Sequence, residues 1–263
     1  MKNQVSVEVH NLTVSYDGGP VLWDIDFELP QGQIIGIIGP NGSGKTTLLK
    51  SIMGLVESSS GFVKIYDKNL DDVRERVAYV PQRESVDWDF PASVFDVVMM
   101  GRYRKKNLLK RTNKADVEIV NQSIEKVGLT EFKNRQISQL SGGQQQRVFI
   151  ARALAQKADL YLMDEPFVGV DAATESSILA LLQEMKADGK TVLIIHHDLQ
   201  TVSEYFDYLV LLNTRLIAKG NLQEVLTKEN LSNAYGGQLT LLSKVVDLIK
   251  KTEFPIREKD VDL

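Results

Sequence analysis

Gly39-Pro40-Asn41-Gly42-Ser43-Gly44-Lys45-Thr46-Thr47 decides how this chain folds. The stretch fits the spacing G-x-x-x-x-G-K-[ST] of a phosphate-binding loop, and its flanks supply the context such a motif requires. Upstream, residues 33–38 (Gln-Ile-Ile-Gly-Ile-Ile) are a mostly apolar run that predicts a buried strand; downstream, a helical pattern opens near Lys45. Glycines at 39, 42 and 44 let the backbone turn tightly, so that successive N–H groups and the helix start face the phosphate oxygens of a nucleotide. All nine residues are therefore candidate nucleotide ligands. In that geometry Lys45 places its ammonium between the β- and γ-phosphates, and the Thr46 hydroxyl becomes a Mg²⁺ ligand.

Working outward, residues 5–16 and 21–29 alternate apolar and polar positions around the turn Asp17-Gly18-Gly19-Pro20, and residues 61–66 add a third strand-like piece. Together they predict an antiparallel layer. Further apolar strands are expected at residues 77–80, 160–163 and 191–195, with a helix at residues 172–188 between the last two. This βαβ rhythm predicts an α/β fold with a mainly parallel sheet. Residues 91–139 carry helical patterns and turns, residues 209–212 and 216–219 read as a closing hairpin, and residues 239–250 as a helix with an apolar stripe for the core or a partner.

At 263 residues and 43% hydrophobic composition, the chain is long enough for one nucleotide-binding unit with a subdomain or two, but not for two such units. A formal net charge of −4 gives no basic footprint for nucleic acid. With no cysteine there is no disulfide, no thiol catalysis and no thiolate metal site, which suits a reducing cytosol. No apolar run approaches the ~18 residues of a membrane span, and the first ten residues lack the pattern of a signal peptide. Arg102, Arg104, Lys105, Lys106, Lys110, Arg111 and Lys114 form one charge cluster, expected to be a solvated helical surface rather than a lipid-facing patch.

A hundred residues after the loop comes Leu140-Ser141-Gly142-Gly143-Gln144, another small-residue turn opening a helical stretch, in which Val148, Ala151 and Leu154 can share one face. This pentapeptide resembles the signature of the ATP-binding cassette family. The resemblance implies a P-loop NTPase (RecA-like) core, mainly parallel, with an antiparallel β subdomain and a helical subdomain at about residues 91–140 carrying the signature. It also implies that Ser141, Gly142, Gly143 and Gln144 of one protomer close over the γ-phosphate held by another. A homodimer with two sandwiched ATP molecules follows.

Residues 160–166 (Leu-Tyr-Leu-Met-Asp-Glu-Pro) form an apolar strand ending in two carboxylates. Asp164, at the carboxyl end where α/β sheets place ligands, is expected to reach Mg²⁺, and Glu165 to orient and deprotonate the attacking water. The family resemblance adds Gln82, which joins Mg²⁺ and the water to a hinge, and His197, which hydrogen-bonds the γ-phosphate and helps position Glu165. It further adds Asp171, in a Gly169-Val170-Asp171 loop crossing the dimer interface, and Tyr16, stacked on adenine. His196 invites a metal-ligand reading with His197, but adjacent side chains at a strand end point to opposite faces.

Residues 80–91 (Val-Pro-Gln-Arg-Glu-Ser-Val-Asp-Trp-Asp-Phe-Pro) and 164–175 (Asp-Glu-Pro-Phe-Val-Gly-Val-Asp-Ala-Ala-Thr-Glu) resemble the manganese, zinc and iron import branch. Most importer cassettes carry Thr after the Pro, where this chain has Phe167. That branch implies an ATPase subunit at the cytoplasmic face of the membrane, powering import of a divalent metal, with manganese the first expectation. It implies two transmembrane permease subunits and an extracytoplasmic metal-binding protein, with Trp88, Asp89 and Phe90 as docking residues. The cassette spans residues 1–240, and residues 241–263 form a C-terminal helical extension. Other readings are a zinc, iron, siderophore or haem importer, an exporter, or a cassette acting on DNA or ribosomes; the last two would need a coiled-coil insertion or tandem cassettes.

Overall fold

The computed structural model describes residues 4–103 and 113–236. Its centre is β3 (Ile34–Ile38), five residues of Ile-Ile-Gly-Ile-Ile that are buried throughout. Because successive side chains leave a strand on opposite faces, such a run needs cover on both sides. Ile34 and Ile38 join one apolar cluster with Met163, Ile194 and Leu211, while Ile35 and Ile37 join another with Leu162, Leu193 and Val210. At about 1.5–3 kcal/mol per fully buried aliphatic side chain, these two layers are the main source of stability.

Around β3 the sheet runs β5 (Val77–Val80), β6 (Leu160–Asp164), β7 (Thr191–Ile195), β3, β8 (Tyr208–Asn213), β9 (Arg215–Gly220). The first five strands are parallel, and β9 returns antiparallel to β8 as the expected hairpin. One face carries α3 (Val94–Met100), α4 (Lys114–Lys126), α5 (Gly142–Ala155) and α6 (Ala172–Ala187); the other carries α1 (Lys45–Ile52) and a separate three-stranded sheet. That sheet, ordered β2 (Gly19–Pro30), β1 (Val5–Tyr16), β4 (Ser60–Ile65), is the antiparallel layer. β2 begins at Gly19, so the turn is two residues tighter than the four-residue signal. Short α-helices, α2 (Leu70–Val73), α7 (Val202–Tyr205), α8 (Leu222–Val225) and α9 (Lys228–Tyr235), and brief 3₁₀ turns, Arg83–Ser85 among them, join these elements.

The β5 edge is closed by side chains. Arg152 Nη2 and Gln156 Nε2, at the C-terminal end of α5, donate to the carbonyls of Tyr79 at 3.1 Å and Val77 at 2.6 Å. Strand carbonyls that would face water are thereby satisfied from within the chain.

One expectation changes here. Arg102 is not a solvated charge: it forms an ion pair with Asp116 at 2.9 Å and donates to the Ala155 carbonyl at 2.7 Å, holding α3 against α4 and α5. Arg104, Lys105, Lys106, Lys110 and Arg111 lie outside the described residues, as do residues 239–250 and the extension at 241–263. Trp88 is half-buried and packs edge-on against Phe149 with centroids 5.2 Å apart, while Asp89 is exposed and Phe90 keeps about half its surface exposed. Among the described residues no helix is long and apolar enough to cross a membrane.

Candidate active site

Parallel strands deliver their loops to one edge of the sheet. The glycine loop follows β3, Gln82 follows β5, Glu165 follows β6 and His197 follows β7, so four sequence-predicted elements meet at the same carboxyl edge. The loop makes the turn its glycines predict, with φ of 152°, 78° and 96° at residues 39, 42 and 44. Gly39 is demanded twice over: its φ is left-handed, and a Cβ there would lie 2.0 Å from the Leu212 carbonyl oxygen of β8. The hairpin supports the loop again through Thr214, whose N–H donates to the Ser43 carbonyl at 2.9 Å.

A cleft of about 290 Å³ opens over this loop, lined by Val21, residues 41–47 and Glu165. Lys45 is buried, and its Nζ donates to the carbonyls of Gly39 and Pro40 at 2.9 Å each. Burial lowers its pKa, and Glu165 and Asp164 counter that effect. The backbone thus holds the ammonium at the mouth of the turn. Tyr16, at the end of β1, is about half exposed and pairs with Gly19 in the strand leading to Val21.

Asp164 is 2% exposed, and its Oδ1 has no hydrogen-bond partner among the described residues. Its pKa is pushed up to about 6, first by burial and then by the neighbouring Glu165, while Lys50, Lys45 and a hydrogen bond with Thr46 act the other way. An unpartnered buried carboxylate oxygen beside a threonine hydroxyl is a donor set that suits a hard divalent cation. Glu165 sits at φ 50°, an uncommon conformation for a side-chain-bearing residue, and its Oε2 accepts from Gln82 Nε2 at 3.1 Å. A strained backbone and a hydrogen bond 83 residues away in sequence together fix this carboxylate at the cleft.

The two histidines divide as alternation requires. His196 is buried among Phe167, Tyr205 and Phe206, with centroids 5.4–5.8 Å away, and its Nε2 lies 2.8 Å from Thr201 Oγ1. Burial, then the adjacent His197, push its pKa down to about 4. His197 is exposed at the carboxyl edge, and no cluster of three metal-ligating side chains occurs among the described residues. Phe167, noted in the sequence only as a departure from Thr, is a wall of the His196 box.

The signature lies apart, for none of its residues lines the cleft. Ser141 is the N-cap of α5 in a reciprocal capping box: its Oγ accepts from the Gln144 N–H at 3.4 Å, and Gln144 Oε1 accepts from the Ser141 N–H at 2.9 Å. Gly142 and Gly143 therefore stand in the first turn of α5. Asp171 caps α6, accepting from the Thr174 N–H at 2.8 Å, and that contact lowers its pKa. Sequence reading missed Arg83, whose Nε donates to Gln145 Oε1 at 3.0 Å; its place next to Gln82 was the only signal.

The ABC transporter family profile matches residues 22–168. The manganese transport system ATP-binding protein MntB of Bacillus subtilis is 59% identical over 240 residues, covering 91% of this chain and 96% of that one. The zinc transport system ATP-binding protein TroB of Treponema pallidum is 55% identical, covering 89% and 88%. A solved nucleotide-free ATP-binding cassette from an ABC transporter superposes with a TM-score of 0.74 at 25% identity, covering 93% and 98%. Site, fold and likeness converge: the chain belongs to the ABC transporter family, as an ATP-binding subunit whose hydrolysis of ATP is coupled to transport.

Proposed function

We propose that this chain is the motor of a divalent-metal importer, with manganese as its cargo. The observation that carries the reading is the 59% identity with the manganese transport ATP-binding protein across 91% of the chain. Two copies dock on two permease subunits at the cytoplasmic face of the membrane, and an extracytoplasmic binding protein delivers the metal. Residues 1–240 form the cassette, with the helical subdomain at about residues 91–140, and residues 241–263 are its extension.

In this reading the phosphates of ATP replace the Gly39 and Pro40 carbonyls as partners of Lys45, while the loop N–H groups hold the remaining oxygens. Thr46, Asp164 and Gln82 are the residues that would hold Mg²⁺, which when bound neutralises charge on the phosphate oxygens. Glu165, aimed by Gln82, accepts the proton of the attacking water, and His197 meets the γ-phosphate. Ser141, Gly142, Gly143 and Gln144 close over the nucleotide of the other protomer, a role supported by their absence from their own chain's cleft. Asp171 crosses the interface between the two.

The test is the manganese, zinc and iron content of metal-limited cells depleted of the chain and rescued with the native form or Glu165→Gln. Manganese should fall and be restored by the native chain alone. Loss of zinc instead would establish the second reading, which the 55% identity to the zinc transport protein favours. Unchanged metals would refute both.

A further inference from the structure

Gln145 and Phe149 stand four residues apart on α5, on one face of the helix, and both hold the turn that begins at Gln82. Arg83 Nε donates to Gln145 Oε1 at 3.0 Å, and Gln145 Nε2 donates onward to the Ile137 carbonyl at 3.1 Å. The Arg83 carbonyl accepts from Trp88 Nε1 at 2.9 Å, and the same indole packs on Phe149. Ser85 Oγ, 2.7 Å from the Gln82 carbonyl, tightens the turn from inside. Beyond Gln145, the guanidinium lies flat against the signature: a Cβ on Gly142 would meet its Cζ at 3.0 Å, and one on Gly169 would come within 3.9 Å of Nη1.

We propose that Arg83 is a positioning residue of the catalytic machinery, locking the Gln82 turn to the first turn of the signature helix so that both move as one body. Gln82 reaches the carboxylate at the chain's own nucleotide, whereas the signature serves the partner's. The lock makes closure at one site felt at the other. This inference rests on the catalytic and dimeric reading above. Arginine suits the task because its planar fork can bond Gln145 edge-on while its face slides over a glycine, an arrangement that the single ammonium of lysine does not reproduce.

The experiment uses the full-length chain carrying Arg83→Ala, Arg83→Lys, Gln145→Ala or Arg83→Ala with Gln145→Ala. ATP turnover is followed against ATP concentration, and affinity is measured separately with a fluorescent ATP analogue. Affinity should stay within about twofold while kcat falls about tenfold, since the loop is untouched and only alignment is lost. The Hill coefficient of the native dimer should exceed that of the variants, which should fall toward one as the sites become independent. Lysine should not rescue, and the double variant should be no worse than Gln145→Ala alone, which already removes the Arg83 contact together with its own bond to the Ile137 carbonyl. Unchanged kcat and Hill coefficient, rescue by lysine, or multiplying effects in the double variant would each overturn the proposal. Should Arg83→Ala fold poorly, Gln145→Ala approaches the contact from the other side and is judged by the same readouts. Glu165→Gln runs alongside: if it hydrolyses ATP normally the catalytic reading fails, whereas if it is inactive and Arg83→Ala is normal, only the lock fails.

Discussion

Replacing Asp164 by Asn should make the nucleotide-free protein more stable and inactive at once. The magnitude follows from the site. A buried carboxyl whose pKa rises from 3.8 to about 6 is ionised at neutral pH against the preference of its surroundings, with burial and then Glu165 opposing the charge. At about 1.4 kcal/mol per pH unit, the folded state carries a penalty of about 3 kcal/mol above pH 6. The sign follows from the raised pKa: the penalty is full above the folded value, shrinks as pH falls through it, and is gone below the unfolded value of 3.8. Asparagine keeps the shape and removes the charge. At pH 7.5 without nucleotide, its denaturant midpoint should correspond to a gain approaching ~3 kcal/mol, or roughly 6–10 °C in Tm for a chain of this size. By pH 5 the gain should be about half as large. Adding MgATP should stabilise the native chain far more than the variant, because the carboxylate then has a cation to meet. A variant less stable than the native chain at pH 7.5, or a gain independent of pH, would refute this account of Asp164.

Other outcomes follow from the same geometry. Glu165→Gln should retain ATP binding and accumulate as a dimer with little turnover, while Lys45→Ala should lose tight binding; turnover near the native rate in the first would remove Glu165 as the base. His196, held neutral with a pKa pushed down to about 4, should cost stability as pH falls from 6.5 toward that value, by about 3 kcal/mol in all, and His196→Phe should flatten that slope in denaturation series. Gly39→Ala should abolish nucleotide binding and lower Tm markedly, because its Cβ meets the Leu212 carbonyl, whereas Gly42→Ala, with open space around it, should cost only about 1–2 kcal/mol for its left-handed backbone.

Much of the core was legible because local rules govern it. The Ile-Ile-Gly-Ile-Ile run, the glycine loop and the acid pair after Leu160-Tyr161-Leu162-Met163 each declare themselves within a few residues, and parallel pairing then brings them to one edge. What stayed hidden depends on neighbours distant in sequence. Arg83 meets Gln145 across 62 residues, and Tyr205 Oη donates to Glu175 across 30. That Trp88 packs on Phe149 is likewise hidden, because 61 residues separate the two rings. The charge of Arg102 suggested solvent, yet Asp116 and the Ala155 carbonyl claim it. The pKa of Asp164 follows from the depth of burial at a strand end, which a one-dimensional pattern does not carry.

The side chains that close the β5 edge have a mechanical meaning. Arg152 and Gln156 fasten one end of α5 to the carbonyls of Tyr79 and Val77, and Gln145 fastens the other end to Arg83. Eleven residues of helix separate Gln145 from Gln156, about 16 Å at 1.5 Å each, and the extended stretch from residue 77 to residue 83 spans at most about 20 Å. Tied near one end to β5 and near the other to the turn after Gln82, the helix resists bending and swings as a stiff arm. A push on the turn after Gln82 therefore reaches the signature as displacement instead of being absorbed on the way, and a substitution at Arg152 would loosen the arm at its shoulder, far from any phosphate.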